Sequence, residues 1–264
     1  MTTSTSLEQR IQDYWETAPC GSWYSTHPIG SLEYFLELDD WSYKTSPCEQ
    51  DLFVSYESWR DQRVLEMGCG AGFEAKKFID HGARYVGIDL TSAAVQLVQQ
   101  RFKVFDLDGE VYQCNAAQEN LKEKFGVFDL VFSCGVMHHW PDVDGFVQNA
   151  WNCLKSDGQF IFMVYAKNSW DYAMYRAGLA QYEAQAGCPH VEVYDKEDIQ
   201  NMLGTKFIIN DIVQYGCFMY NVAEYRKKNI VLEPWFLAMP EPVRQAVDQQ
   251  LGKYYMVRAF KRES

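Results

Sequence analysis

The sequence has few positively charged residues: 24 lysines and arginines stand against 36 aspartates and glutamates, so the formal net charge at pH 7 is −12 over 264 residues. Proteins that bind nucleic acid through their surface usually carry a basic face or stripe. We therefore expect neither DNA nor RNA as a partner.

Long hydrophobic runs are also missing. The longest lies around residues 160–165, whereas a membrane-spanning helix needs roughly 20 apolar residues. A secretory signal has a basic region followed by an apolar stretch. The first residues, MTTSTSLEQR, do not have this pattern. These absences predict a cytoplasmic protein that does not span a membrane.

Closely spaced pairs of cysteines are absent as well. The eight cysteines are scattered, at positions 20, 48, 69, 114, 134, 153, 188 and 217. They lack the spacing of a zinc site or a redox motif. We expect buried, reduced thiols and no metal site.

What the sequence has is a regular alternation of elements. Strand patterns separated by helical patterns occur at 63–69, 85–90, 110–116, 128–134 and 159–166. Strict alternation predicts an α/β fold with a doubly wound, mostly parallel sheet. Strands at 206–215 and 253–261 bring the sheet to seven, and we expect the last to run antiparallel, as edge strands of such sheets often do.

The chain divides into two predicted regions. Residues 1–61 form an aromatic-rich leader that begins with a helical pattern of Leu7, Ile11, Tyr14 and Trp15. Residues 62–264 form one domain with helical insertions after the fifth and sixth strands, at about 167–190 and 216–252. The sequence does not indicate an oligomeric state.

The segment VLEMGCGAGF at 64–73 combines a strand with Gly68, Gly70 and Gly72 ahead of a helix. Such glycines permit positive φ and let the backbone approach a ligand closely. Asp89 ends the next strand, where a carboxylate could accept hydrogen bonds from two ribose hydroxyls. Phe73 stands where the dinucleotide motif GxGxxG requires glycine, which disfavours a dehydrogenase. The alternative to a ligand site is a structural role for these residues. The glycine loop would then be only a tight turn between strand and helix, and Asp89 would only initiate the next helix.

GCGAG with Glu66 before it, together with FDLVFSCGVMHHWPD at 128–142, resembles the motifs of class I S-adenosylmethionine-dependent methyltransferases, in the type that acts on small molecules in bacteria. The resemblance implies a Rossmann-like fold, S-adenosyl-L-methionine as cofactor, and an enzyme that transfers a methyl group to a small-molecule acceptor by in-line displacement. A pseudoenzyme or partner subunit with this fold, and a non-methylating adenosyl-dependent transferase, are the alternatives.

Carried over by position, the resemblance implies a cofactor site of Glu66, Gly68, Gly70, Gly72, Asp89, Leu90, Asn115, Ala116 and Cys134. Glu66 and the glycine turn would hold the methionine moiety, and Asp89 the ribose. Leu90 would pack on the adenine. Asn115 replaces the aspartate common at its position in the family.

The candidate catalytic residues are His138 and His139. An imidazole titrates near neutrality and can remove a proton from a hydroxyl or amine acceptor. The structural alternative is that these rings brace the loop before Trp140. The acceptor atom stays open.

The leader is predicted to be a lid. Open α/β sheets bind ligands outside the carboxyl ends of their strands, and the nucleotide-binding loops supply only one wall of that site. We expect residues 1–30 to fold over it, with Tyr14 and Trp15 in the cofactor site. Packing of this helix on the outside of the sheet as a brace is the alternative. The aromatic residues of the leader and insertions would suit a planar or cationic substrate.

Overall fold

The computed structural model describes the chain except residues 1–5, 18, 20, 23, 46–47, 180–186, 226, 228, 230 and 264, and at 43–45, 48–49 and 225 it describes the backbone. Seven strands form one sheet: β1 (Arg63–Met67), β2 (Arg84–Asp89), β3 (Glu110–Gln113), β4 (Phe128–Cys134), β5 (Leu154–Tyr165), β6 (Phe207–Tyr215) and β7 (Tyr254–Lys261). Their spatial order is β3-β2-β1-β4-β5-β7-β6.

The strands from β1 to β5 pair in parallel, and β7 runs antiparallel to both of its neighbours, β5 and β6. The predicted α/β class and the antiparallel last strand are therefore confirmed. The expectation that this strand lies at an edge is wrong, because β7 inserts between β5 and β6 and leaves β6 at the edge. Strand order reverses between β1 and β4, the place where open sheets of this kind bind ligands.

Twelve helices occur within the described part of the chain. They are α1 (Leu7–Thr17), α2 (Leu32–Thr45), α3 (Cys48–Val54), α4 (Phe73–Asp80), α5 (Ser92–Phe105), α6 (Leu121–Phe125), α7 (Val143–Cys153), α8 (Trp170–Arg176), α9 (Lys196–Leu203), α10 (Val222–Tyr225), α11 (Pro234–Leu237) and α12 (Glu241–Leu251). Short 3₁₀ helices span Tyr56–Trp59 and Met137–His139. No described helix is both long and apolar enough to span a membrane.

Local sequence explains where the helices that follow strands begin. The Thr91 hydroxyl accepts a hydrogen bond from Ala94 N at the start of α5, and Asp142 accepts one from Gly145 N at the start of α7. Asp195 and Asp198 form a reciprocal capping box at α9. Each cap satisfies a backbone donor that the first helical turn would otherwise leave unpaired.

The hydrophobic core lies on both faces of the sheet. On β5, Phe160 and Phe162 belong to one buried cluster, while Ile161 and Met163 belong to another. Alternate side chains of a strand point to opposite faces, so helices must cover both faces to bury them. This burial is what the alternation of strands and helices predicts.

The second half of the leader packs into this core. Tyr34, Phe35 and Leu38 of α2 form a buried cluster with Ala71 and Leu97. Arg101 of α5 is fully buried, and its Nη1 lies 2.7 Å from Asp39 Oδ1 of α2. The predicted insertions also appear as helices, α8 after β5 and α10 to α12 between β6 and β7; residues 180–186 of the first insertion lie outside the described part.

Candidate functional site

A cavity of about 300 Å³ lies at the carboxyl ends of the central strands. Its wall includes residues at or just after the ends of β1, β2, β3, β4 and β5. The predicted site residues on this wall are Trp15, Glu66, Gly68, Gly70, Asp89, Leu90, Asn115, Ala116, Cys134 and His139, and Ile11 of the leader also lies there. The wall does not include Tyr14, Gly72 or His138.

The glycine loop has two structural glycines and one that faces open space. A Cβ on Gly68 would lie 2.4 Å from Val136 Cγ2, and one on Gly72 would lie 3.1 Å from Val98 Cγ2. Gly70 also has positive φ, at +51°, but a Cβ there would meet nothing within 4 Å. Gly72 therefore permits close packing against α5, and Gly70 presents bare backbone to the cavity.

Asp89 holds this loop in place. Its Oδ2 accepts a hydrogen bond from Gly70 N at 3.0 Å. Its Oδ1 accepts two from Thr91, from the backbone N at 3.0 Å and from Oγ1 at 2.7 Å. Burial raises the pKa of Asp89, although these hydrogen bonds oppose the rise. A carboxylate oxygen can accept more than one hydrogen bond, so Oδ2 retains capacity for a ligand.

Two further carboxyl groups lie on the same wall. Glu66 is buried and accepts a hydrogen bond from the Tyr85 hydroxyl, and burial raises its pKa to about 8. Glu74, in the first turn of α4, accepts hydrogen bonds from Gln50 Nε2 at 3.1 Å and from the Tyr56 hydroxyl. The sequence analysis missed Glu74, because an acidic residue in a first helical turn is ordinarily explained by the helix dipole.

The leader helix α1 lies across the start of α5. Gln12 Nε2 donates to Leu90 O at 3.2 Å. Glu16 accepts hydrogen bonds from Ser92 N and Ala93 N, each at 2.9 Å, and from the Ser92 hydroxyl. A side chain distant in sequence thus caps α5 beside Asp89, and the sequence analysis missed it. Tyr14 contacts Trp15 edge to face, with ring centroids 5.0 Å apart.

Asn115 shapes its own loop as well as lining the cavity. Its Oδ1 accepts hydrogen bonds from Ala117 N at 3.0 Å and Gln118 N at 3.2 Å, and its Nδ2 donates to Gln118 Oε1 at 3.1 Å. An Asx turn of this kind orders the backbone after a strand. Cys134 and Gly135 continue the wall where β4 ends.

The two adjacent histidines have different surroundings. His138 is fully buried, stacks on Tyr165 with ring centroids 3.9 Å apart, and has no hydrogen-bond partner for its ring nitrogens among the described residues. Burial lowers its pKa well below the ordinary value. His139 lies on the cavity wall, where burial lowers its pKa to about 4.

The environment of His139 also fixes its tautomer. His139 Nδ1 lies 3.1 Å from His190 O, which can only accept, and 3.5 Å from Cys188 Sγ. The contact with His190 O favours the tautomer with the proton on Nδ1, which leaves Nε2 unprotonated. Its ring meets that of Trp15 edge to face, with centroids 5.0 Å apart. Of the two candidate bases, the structure therefore brings His139 to the cavity.

Another part of the wall holds aromatic residues and a cation. Tyr165, Tyr220, Lys253 and Tyr254 lie there, and Lys253 is 7% exposed. Among the described residues, no group of three or more histidines, cysteines or acidic residues could hold a metal ion. Cys69, Cys114, Cys153, Cys188 and Cys217 have free thiols.

Part of this chain is similar to known proteins. Residues 65–162 match the family described as Methyltransferase domain. The ubiquinone biosynthesis O-methyltransferase of Neisseria meningitidis serogroup C is 27% identical over 128 residues, which is 48% of this chain and 54% of that protein. The chain thus spans about half the length of the curated relatives it matches.

Two solved structures have the same fold. Geranyl diphosphate C-methyltransferase from Streptomyces coelicolor A3(2), in complex with S-adenosyl-L-homocysteine, aligns over 98% of this chain and 100% of its own with a TM-score of 0.63 and 13% identity. Magnesium protoporphyrin IX methyltransferase from Synechocystis PCC 6803, with bound SAH, aligns over 97% and 100% with a TM-score of 0.61 and 13% identity. At these identities the likeness concerns the fold alone.

Proposed function

We propose that this chain is a class I S-adenosylmethionine-dependent methyltransferase that transfers the methyl group of S-adenosyl-L-methionine to a small-molecule acceptor. The match over residues 65–162 and the Rossmann-like sheet support this proposal. The acidic net charge of −12 supports a small molecule rather than a nucleic acid as acceptor. Free thiols at Cys69, Cys114, Cys153, Cys188 and Cys217 support a cytoplasmic location.

The observation that carries the proposal is the bare backbone of Gly70 beside Asp89. A Cβ at Gly70 would enter open space of the cavity, and Asp89 Oδ2 fixes the Gly70 amide at 3.0 Å. A ligand can thus approach the loop where no side chain intervenes. Asp89 would accept hydrogen bonds from ribose hydroxyls, and Leu90 and Ala116 would flank the adenine.

The charges of the cavity also fit this cofactor. S-adenosylmethionine supplies a methyl group on a positively charged sulfonium, and its amino acid end adds an ammonium group. Glu66, Glu74 and Asp89 lie on the cavity wall. Carboxylates in a partly desolvated cavity attract a cation more strongly than they do in water. Glu66 and Glu74 would hold the methionine end, as the resemblance implies for Glu66.

Trp15, Ile11 and His139 would complete the reaction site. The first two belong to α1 and cover the cavity, and exclusion of water strengthens electrostatic interactions between reacting groups. His139 is neutral at pH 7, because its pKa is about 4. Its unprotonated Nε2 could take the proton of an acceptor hydroxyl or ammonium. His138, enclosed behind Tyr165, would support this loop.

Titration calorimetry with S-adenosylhomocysteine tests the site. We expect the wild-type protein to bind and Gly70→Val to lose at least about tenfold in affinity, since the new side chain would occupy the cavity. Gly178→Val is the matched control, because Gly178 also has positive φ and open space around a Cβ but does not line the cavity. Equal binding by wild type and Gly70→Val would show that this loop does not hold the cofactor.

Transfer of labelled methyl groups to a pool of small metabolites tests the reaction. We expect a labelled product from the wild type and at most a few per cent of it from Gly70→Val. Binding of S-adenosylhomocysteine without any transfer would favour the pseudoenzyme alternative. Transfer of another part of the cofactor would favour the non-methylating alternative.

A further inference from the structure

One part of the cavity wall contains none of the residues that we predict to bind the cofactor. It consists of Tyr165, Tyr220, Lys253 and Tyr254, here called the Lys253 wall. Tyr165 ends β5 and pairs with Tyr254 at the start of β7. Because β7 runs antiparallel to β5, its first residues lie at the same edge of the sheet as the cofactor loops. This topology brings Lys253, just before β7, to the cavity.

The backbone fixes Lys253 from two sides. Its N–H donates to Gly216 O at 3.2 Å, and its carbonyl accepts from Ala166 N at 2.8 Å. The ammonium group lies 5.7 Å from the ring centroid of Tyr165 and 5.4 Å from that of Tyr254. Among the described residues that line the cavity, Lys253 is the single lysine or arginine.

Lys253 keeps its charge in this setting. Burial by itself lowers the pKa of this amine, but Tyr254, Asp171, Tyr165 and Tyr220 outweigh burial and hold the pKa well above its ordinary value. The cavity therefore has carboxyl groups at the glycine loop and a buried cation among flat aromatic rings elsewhere on its wall. Like charges repel in a cavity of low polarity, so the Lys253 wall disfavours a cationic acceptor.

We propose that the Lys253 wall binds the methyl acceptor and that this acceptor is a flat ring with an acidic hydroxyl, held as its oxyanion by Lys253. This inference rests on the proposed function and adds the class of acceptor to it. The tyrosine rings contact the face of the ring. Lys253 pairs with the oxygen and favours its ionised form.

The reaction that follows is balanced. The hydroxyl proton leaves to His139 Nε2 or to water when the acceptor binds, and the ring of His139 lies with its centroid 6.0 Å from that of Tyr165. The oxygen–methyl bond then forms as the carbon–sulfur bond breaks, and the electron pair of that bond stays on sulfur. The products are a methyl ether and a neutral thioether.

Binding of 4-nitrophenol, whose neutral and ionised forms differ in colour, tests the proposal. We expect the wild type to lower the pKa of the bound probe by about one to three units. Lys253→Met should abolish that shift and weaken binding of the ionised probe by about ten- to a hundredfold. Lys253→Arg should restore most of the preference for the anion. The matched control is Lys103→Met, which removes a positive charge from an exposed position on α5.

4-Nitroanisole, the same ring with its oxygen methylated, separates recognition of the anion from packing. We expect wild type and Lys253→Met to bind this neutral probe equally, because only the rings contact it. Unchanged binding of 4-nitrophenol by Lys253→Met, or equal loss of both probes, would overturn the proposal. Titration with S-adenosylhomocysteine runs in parallel. The inference is supported if the wild type binds both S-adenosylhomocysteine and 4-nitrophenol and if Lys253→Met weakens binding of 4-nitrophenol alone. Failure of the wild type to bind S-adenosylhomocysteine contradicts the proposed function instead.

Discussion

Glu66 carries a prediction at the scale of a single residue. Its pKa of about 8 means that most of its carboxyl groups hold a proton at pH 7 in the absence of a ligand. A cation bound beside a carboxyl group favours the ionised form and lowers its pKa. Binding of S-adenosylmethionine at pH 7 should therefore release a proton from Glu66, approaching one per site. Calorimetry in buffers of different ionisation enthalpy measures this release, and affinity should rise with pH up to about 8.

Glu66→Gln provides the comparison for that experiment. The amide oxygen can still accept the Tyr85 hydrogen bond, but the side chain no longer titrates. In Glu66→Gln, the number of protons released on binding should fall by nearly the amount that Glu66 contributes. Any release that comes from the cofactor itself should be unchanged. S-adenosylhomocysteine, which lacks the sulfonium charge, should release fewer protons from the wild type. If wild type and Glu66→Gln release equal numbers of protons, Glu66 does not face the cationic centre.

At the same scale, the sequence predicted some site residues and missed others for physical reasons. Gly70 follows β1 and Asp89 ends β2, the next parallel strand, so their positions along the chain imply that they meet. Glu16 reaches the start of α5 and Lys253 reaches the cavity through tertiary packing. No spacing in the sequence connects either of them to the glycine loop. Adjacent His138 and His139 are both buried in a 3₁₀ turn, but of the two His139 alone lines the cavity, which the sequence does not reveal.

The contact between α1 and α5 carries a prediction at the scale of elements. Glu16 accepts hydrogen bonds from the first backbone N–H groups of α5 and from the Ser92 hydroxyl. Burial raises the pKa of Glu16, but these hydrogen bonds together outweigh burial and lower it. Loss of a helix cap costs about 0.5–2 kcal/mol. Glu16→Ala should weaken binding of S-adenosylhomocysteine several-fold, because α5 begins next to the Asp89 loop. It should also make α1 more accessible to protease.

Asp13→Ala tests whether charge alone explains that effect. Asp13 lies on the same helix, and its recorded side-chain partner is Gln9 within α1. This variant loses the same charge without touching α5, so its affinity and its rate of cleavage should match those of the wild type. If both variants weaken binding equally, the net charge of α1 matters and the cap does not.

Elements were predicted more reliably than their ends. Phe128–Cys134 was predicted with the bounds that β4 has, since a bounded apolar run defines it well. β5 begins at Leu154, before the predicted 159–166, because its first residues pair with Phe128 across an irregularity in the β4 register. Pairing of β7 between β5 and β6 depends on contacts across the whole chain, which periodicity does not encode.

At the scale of the whole molecule, the leader is not a separate layer. α2 shares a buried cluster with Ala71 of the glycine loop, and Tyr56 packs edge to face on Phe78 of α4 with ring centroids 4.8 Å apart. Val54 and Trp59 belong to the same cluster as strands β1 and β4. Hydrophobic contacts of this extent couple segments during unfolding. The segment that could open as a lid is therefore α1 and not the whole of residues 1–61.

Hydrogen exchange with and without S-adenosylhomocysteine tests whether α1 is a lid or a brace. If ligand can leave only when α1 lifts, each opening of α1 must also release the ligand. At a ligand concentration of a hundred times Kd this adds about 2.7 kcal/mol to the free energy of opening, so exchange of α1 amides should slow by up to about a hundredfold. A brace that stays in place during binding would exchange at the same rate in both conditions.

α12 is the internal control for that measurement, because none of its residues lines the cavity. Exchange in α12 should change little when ligand binds, whereas global stabilisation would slow α1 and α12 together. Glu16→Ala should raise the exchange of α1 without ligand and reduce the protection that ligand gives. We therefore expect ligand to protect α1, but not α12, from exchange, and we expect Glu16→Ala to lose this protection. This result requires that closure of α1 over the cavity is coupled to occupancy of the cavity. Equal rates in α1 with and without ligand would instead leave this helix as a brace on the sheet.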